Sequence, residues 1–112
     1  MKTSTKIALV SLVLPLAAGL SYAASASDNW DNSCASCHGS DGKGQTKTGK
    51  KLKIKDYTDA KVQADLKDEE MVKAVTDGVK GDGGKEKMKA FKDEMSADEI
   101  KDLVAFIRKF KA

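Results

Sequence analysis

The two cysteines of the chain and its single histidine stand together, as Cys34-Ala35-Ser36-Cys37-His38. Thiols three residues apart lie on one turn of a helix, and the imidazole follows the second thiol directly. Thiolates form covalent bonds and bind metals, and a neutral imidazole is a common metal ligand. The cluster therefore predicts a metal site, a redox-active dithiol or a covalent cofactor.

These three kinds of site differ in what else they need. A structural zinc ion takes four ligands, and the sequence has no further Cys or His. A thioredoxin-like dithiol is expected within a βαβ pattern, and no convincing period-two strand is present. C-x-x-C-H is the signature of c-type haem attachment. It predicts thioether bonds from Cys34 and Cys37 to one covalent haem c, with His38 as the proximal iron ligand.

Residues 1–26 have the pattern of a cleaved secretory signal. Two lysines precede the uncharged apolar run Ile7–Leu20, and small residues follow it. Cleavage after Ala23 or after Ala26 fits this pattern equally well. An uncleaved membrane anchor is the alternative, and Pro15 argues against it. We expect residues 27–112 to form a single domain, exported to a bacterial periplasm without stable membrane insertion after cleavage.

The expected mature chain is small and nearly neutral. Cleavage leaves 112 − 23 = 89 or 112 − 26 = 86 residues, and removes two of 20 basic residues, so that 18 face 17 acidic ones. A net charge of +1 disfavours nucleic-acid binding, which needs a strongly basic face. So short a chain buries a small core and usually needs a staple. Covalent haem would supply it, and we expect the apo-protein to fold poorly.

Short helices are predicted to position the motif. Trp30 and Cys34 stand four residues apart, which indicates a helix over Asn29–Cys37, with Trp30 packing on the C-terminal helix. Glycines after the motif end this helix, and a lysine-rich loop follows. A brief helix is then expected around Val62.

Two later helices have clearer boundaries. Asp68 is expected to cap a helix over Glu69–Asp77, and a glycine-rich loop then turns toward Met88. Ser96 and Glu99 have the spacing of a capping box at the start of the last helix. With no convincing strand, the sequence predicts an all-α domain.

Two segments of the chain resemble the class I cytochromes c. Cys34–Gly44, with the sequence Cys-Ala-Ser-Cys-His-Gly-Ser-Asp-Gly-Lys-Gly, is similar to the family's haem-binding segment, and Lys87–Phe91 with Ser96–Phe110 is similar to its C-terminal part. The resemblance implies several short helices wrapped around one covalent haem. It also implies a soluble, monomeric electron carrier that is not an enzyme and that moves one electron between periplasmic or membrane redox partner proteins.

The same resemblance implies a second iron ligand. The distal ligand of the family is the methionine of a Met-x-Ala-Phe-like segment before the last helix, and Met88 is the matching residue. Met95 and then a lysine are the rivals. Ligation by His38 and Met88 would leave the low-spin iron without an open position. The alternative is a haem sensor or peroxidase-like protein, because Lys89 stands where the family often has proline.

The support of His38 is a second departure from the family. Members often have a proline after the motif, and its carbonyl orients the proximal imidazole. The only proline here is Pro15, so another carbonyl is needed, and we expect it within Gly49–Leu52.

A run of lysines without an intervening acidic residue follows the motif. It is either a solvated loop or, near a haem edge, a docking surface for an acidic face of a redox partner. The run comprises Lys43, Lys47, Lys50, Lys51, Lys53 and Lys55.

Overall fold

The computed structural model describes residues 24–111, so most of the expected signal lies outside the described residues. The predicted all-α class is confirmed, with one small hairpin added. Within 24–111, no helix has the length and apolarity to cross a membrane. The elements are α1 (Ala26–Ser33), α2 (Ala35–His38), α3 (Lys47–Leu52), α4 (Ala60–Asp65), α5 (Asp68–Asp77), β1 (Val79–Lys80), a 3₁₀ turn (Asp82–Gly84), β2 (Glu86–Met88) and α6 (Ala97–Arg108).

The helix predicted over Asn29–Cys37 is observed as two helices, α1 and α2. Helix α1 begins earlier than predicted because the Ser25 hydroxyl accepts a hydrogen bond from the Asp28 amide at 3.2 Å. The break falls at Cys34, whose φ of −119° lies outside the helical range. Helix α2 carries the second half of the motif and ends at Gly39, where φ is +82°.

The segment predicted as a lysine-rich loop contains helix α3. Thr46 is its N-cap, and the Thr46 hydroxyl accepts a hydrogen bond from the Gly49 amide at 2.8 Å. The same hydroxyl donates to the Cys37 carbonyl at 2.7 Å, which joins α3 to the motif. The prediction was wrong because this helix has no apolar periodicity and depends on its cap instead.

A polar network joins the region of α4 and α5 to the end of α6. The buried Gln63 amide donates to the Tyr57 carbonyl at 2.7 Å and to the Ile107 carbonyl at 3.0 Å. Arg108 donates to the Gln63 side-chain oxygen at 3.0 Å and pairs with Asp68 at 2.8 Å. Asp68 is the first residue of α5 and not its cap, so the predicted boundary was wrong by one residue.

A β-hairpin follows α5, and the sequence did not predict it. Strands β1 and β2 pair antiparallel, with Val79 opposite Met88. They have two and three residues, too few to show an alternating pattern. Gly78 ends α5 with a φ of +77°, and a Cβ atom there would lie 2.6 Å from the Met88 carbonyl oxygen. Glycine therefore allows the end of α5 to lie against Met88.

Helix α6 closes the fold against α1 and α5. The predicted capping box of Ser96 and Glu99 is confirmed. The Glu99 carboxylate also accepts a hydrogen bond from the side-chain amide of Asn29 at 3.1 Å, and this bond joins α6 to α1. The buried apolar core consists of Trp30, Cys34, Met71, Val75, Phe91, Met95, Ile100, Leu103, Val104 and Ile107.

Candidate haem-binding site

One cleft of about 520 Å³ is lined by Cys34, Cys37, His38 and Met88. Its volume lies within the range of roughly 300–1,000 Å³ that is usual for cofactor sites. The motif residues come from the α1–α2 region and Met88 from the end of β2, so two distant segments of the chain meet there. Other apolar and aromatic residues that line the cleft are Ile54, Tyr57, Leu66, Val79 and Phe91.

Both cysteines at the cleft are free thiols. Cys34 is only 5% exposed, and Cys37 is half-buried. Burial, and then the charge of Cys37, raise the pKa of Cys34 to about 11. At neutral pH the folded chain therefore keeps this thiol protonated, which is the opposite of what a redox-active dithiol needs. The environment fits a sulfur in a thioether bond.

The His38 imidazole is in the state that an iron ligand requires. Burial lowers its pKa below the ordinary histidine value, so the ring is neutral at physiological pH. The Tyr57 ring stacks on it with a centroid distance of 5.3 Å and an interplanar angle of 17°, and the Trp30 ring lies 5.5 Å away at 43°. Aromatic side chains therefore surround this imidazole.

The second ring nitrogen of His38 lacks the support expected from the sequence. Nδ1 is buried, and none of residues 24–111 forms a hydrogen bond with it. The expected acceptor within Gly49–Leu52 was therefore wrong. The Gly49 carbonyl instead accepts the Ile54 amide at 2.9 Å, in the turn that ends α3.

Trp30 holds the backbone that follows the histidine. Its ring is 1% exposed, and its Nε1–H donates to the Gly39 carbonyl at 3.0 Å. The ring lies 5.9 Å from that of Phe106 and 4.9 Å from that of Phe110. The predicted packing of Trp30 on the C-terminal helix is therefore confirmed at Phe106, and it extends to the residues just beyond α6.

Helix α3 lies in close contact with the motif through Gly49. A Cβ atom at Gly49 would lie 2.5 Å from the Cys37 carbonyl oxygen and 2.9 Å from the Gly44 carbonyl carbon. Both atoms belong to the backbone and cannot move aside as a flexible side chain can. This support was not predictable from the sequence, since a single glycine within a lysine-rich stretch gives no sign of the contact.

Met88 is the one methionine among residues 24–111 that lines the cleft. It is half-buried and is held by its strand pairing with Val79. Met71 and Met95 are 6% and 5% exposed and belong to the apolar core. The structure thus brings Met88 to the motif and keeps the rival Met95 away from the cleft lining.

Lys89, the lysine next to Met88, forms contacts with other side chains. The Lys89 ammonium pairs with the Glu94 carboxylate at 2.7 Å and lies 5.0 Å from the centroid of the Phe91 ring. Lys89 nevertheless borders the cleft, and so do Lys53, Lys55 and Lys87. The rim of the cleft is therefore predominantly positive.

The donor set fits a c-type haem. Two unpaired thiols, a neutral imidazole and a thioether face one cleft with a largely apolar lining. Soft sulfur and imidazole ligands are those that haem iron accepts in electron-transfer proteins. Residues 22–107 match the family described as cytochrome c oxidase, cbb3-type, subunit III. The chain belongs to this family of c-type cytochromes.

Two solved structures that are similar to this chain also belong to a c-type cytochrome. The KustC0563 c-type cytochrome is 30% identical, with a TM-score of 0.70, and the match covers 80% of this chain and 100% of that one. A tyrosine-to-phenylalanine mutant of Kustc0563 is 31% identical, with a TM-score of 0.65 and coverage of 79% and 100%. Among curated proteins, no sequence matches significantly. The cytochrome therefore has a covalent haem c and belongs to a class of electron-transfer proteins.

Proposed function

We propose that this cytochrome is a monohaem one-electron carrier of the bacterial periplasm, with His38 and Met88 as axial ligands. The observation that supports it is the single cleft lined by Cys34, Cys37, His38 and Met88. The bound haem supplies an iron that changes by one charge between its ferrous and ferric states. Ligation by both residues would leave no position on the iron for oxygen or a substrate, so electron transfer is the chemistry that this donor set would support.

The residues around the cleft favour the ferrous state. A methionine thioether raises the potential compared with a second basic ligand, and an apolar wall disfavours the additional positive charge of ferric iron. The wall is formed in part by Ile54, Leu66 and Phe91. Lysines at the rim also favour the ferrous state, since their positive charges destabilise the more positive ferric iron. Salt weakens this effect.

The rim also indicates the kind of partner. The six lysines from Lys43 to Lys55 are exposed, and two of them line the cleft. An acidic face on a redox partner would be attracted to this surface and would bring its own cofactor close to the haem edge.

Carbon monoxide binding tests the carrier assignment directly. The reduced holo-protein, purified from a host that matures cytochromes c, is expected to keep its spectrum unchanged under carbon monoxide without denaturant. Its haem is expected to survive acid-acetone extraction. Rapid carbon monoxide binding would instead favour the sensor or peroxidase-like alternative. Protein without haem would contradict both functions.

Signal cleavage is expected after Ala23 and not after Ala26. Ser25 caps α1, and the Ala24 carbonyl accepts a hydrogen bond from the side-chain amide of Asn29 at 3.4 Å. Cleavage after Ala26 would remove both contacts and also the first residue of the helix. Loss of an N-cap costs about 1 kcal/mol. Intact mass spectrometry of the exported protein distinguishes the two sites, and a chain that begins at Ser27 would contradict the prediction.

A further inference from the structure

The proximal imidazole is held in an unusual way in this chain. Metal-bound histidines almost always donate their second N–H to a carbonyl, a carboxylate or water, which fixes the orientation of the ring. In the described part of the chain, the His38 Nδ1 atom is buried and forms no hydrogen bond with a carbonyl or carboxylate. Some other contact must fix the ring.

The rings of Tyr57 and Trp30 provide that contact. Tyr57 stacks on the imidazole at 5.3 Å and 17°, and Trp30 lies at 5.5 Å and 43°. The two rings also contact each other, with centroids 6.4 Å apart. The three rings thus form one cluster in which the imidazole cannot rotate without moving a neighbour.

Hydrogen bonds fix the Trp30 ring and the backbone of Tyr57. The Trp30 indole donates to the Gly39 carbonyl, directly after the histidine. The Tyr57 amide donates to the Gly42 carbonyl at 2.8 Å, and its carbonyl accepts the Gln63 side chain at 2.7 Å. Since these partners are buried, the Trp30 ring and the backbone that carries the Tyr57 ring are held in place beside the imidazole.

We propose that Tyr57 and Trp30 are positioning residues that set the orientation of the His38 imidazole by ring packing, in place of a hydrogen bond donated by Nδ1–H to a protein acceptor. This inference rests on the proposed role of His38 as proximal ligand. The orientation of the imidazole plane governs how its orbitals overlap with those of the iron. The rings therefore act on the electronic state of the iron through His38, without contact with a reactant.

Electron paramagnetic resonance of the oxidised holo-protein tests the proposal. Wild type is expected to give one low-spin species, and Tyr57→Phe, which keeps the ring, is expected to give the same g values. Tyr57→Leu removes the ring, and its spectrum is expected to show a second low-spin species with different g values, as the population of a second imidazole orientation rises roughly 2- to 10-fold. Val104→Ala, a buried change on α6 away from the cleft lining, serves as the control for lost stability and is expected to keep one species.

A second measurement needs no variant. Nuclear magnetic resonance of the reduced wild type is expected to show an Nδ1 proton of His38 without the downfield shift of a hydrogen bond to a carbonyl. A strongly hydrogen-bonded proton, or g values unchanged in Tyr57→Leu, would overturn the inference. Failure of the proposed function is distinguishable, because wild type would then lack the low-spin histidine-ligated signal altogether.

Discussion

Replacing Met88 by alanine is expected to abolish the weak long-wavelength methionine-to-iron band of the oxidised protein and to lower its reduction potential. Met88 is the methionine of residues 24–111 that lines the cleft, so its loss leaves no thioether within reach. The potential should fall by on the order of 0.1 V, a part of the roughly 0.8 V over which axial ligands tune haem iron. Visible spectroscopy and potentiometric titration measure both effects, and the reduced variant should also bind carbon monoxide.

Met95→Leu is the matched control. It removes the same thioether group from a core position that is 5% exposed, and a swap of similar volume costs less than about 1.5 kcal/mol. The band should persist in this variant. If it were lost in Met95→Leu and kept in Met88→Ala, Met95 would be the ligand and the assignment of Met88 would be wrong.

Gly49→Ala is expected to destabilise the holo-protein by about 3 kcal/mol or more. Helix propensity alone would predict a gain of about 1 kcal/mol at this position in α3. The added Cβ, however, would lie 2.5 Å from the Cys37 carbonyl oxygen, and the opposing atoms are backbone. Helix α3 must therefore move away from the motif, and denaturant unfolding followed by haem absorbance measures the loss.

Gly81→Ala provides the comparison. A Cβ there meets nothing closer than 3.7 Å, and its φ of −94° suits any residue. Its effect should stay within about 0.5 kcal/mol, as for an ordinary surface change. Equal stability of the Gly49 and Gly81 variants would show that α3 can shift freely, which would contradict its role as a support for the motif.

Local patterns explain which parts of this fold could be predicted. The capping box of Ser96 and Glu99 depends on residues three apart, and the packing of Trp30 follows from its place on the face of Cys34, so both were predictable and are confirmed. The cofactor followed from the C-x-x-C-H spacing and is supported by the family. The roles of His38 and Met88 as iron ligands stay predictions, although the structure brings both to one cleft.

The features that could not be predicted from the sequence depend on contacts between segments that are distant in the chain. The hairpin is too short for a pattern, and it forms because Gly78 brings β1 against the segment of Met88. The helix expected around Val62 is present as α4, yet its buried residue is the polar Gln63, because the carbonyls of Tyr57 and Ile107 accept hydrogen bonds from the Gln63 side chain. The periodicity of the sequence does not show that these two carbonyls lie near the Gln63 side chain.

The burial of Cys34 imposes an order on the biosynthesis of this protein. Cys34 is 5% exposed, its thiol has a pKa raised to about 11, and the helix that precedes it packs against α6, which lies far downstream in the sequence. A buried thiol that stays protonated is a poor nucleophile toward a haem vinyl group. We expect haem to be attached to the newly exported, still open polypeptide, before the apolar core that contains Cys34 packs together.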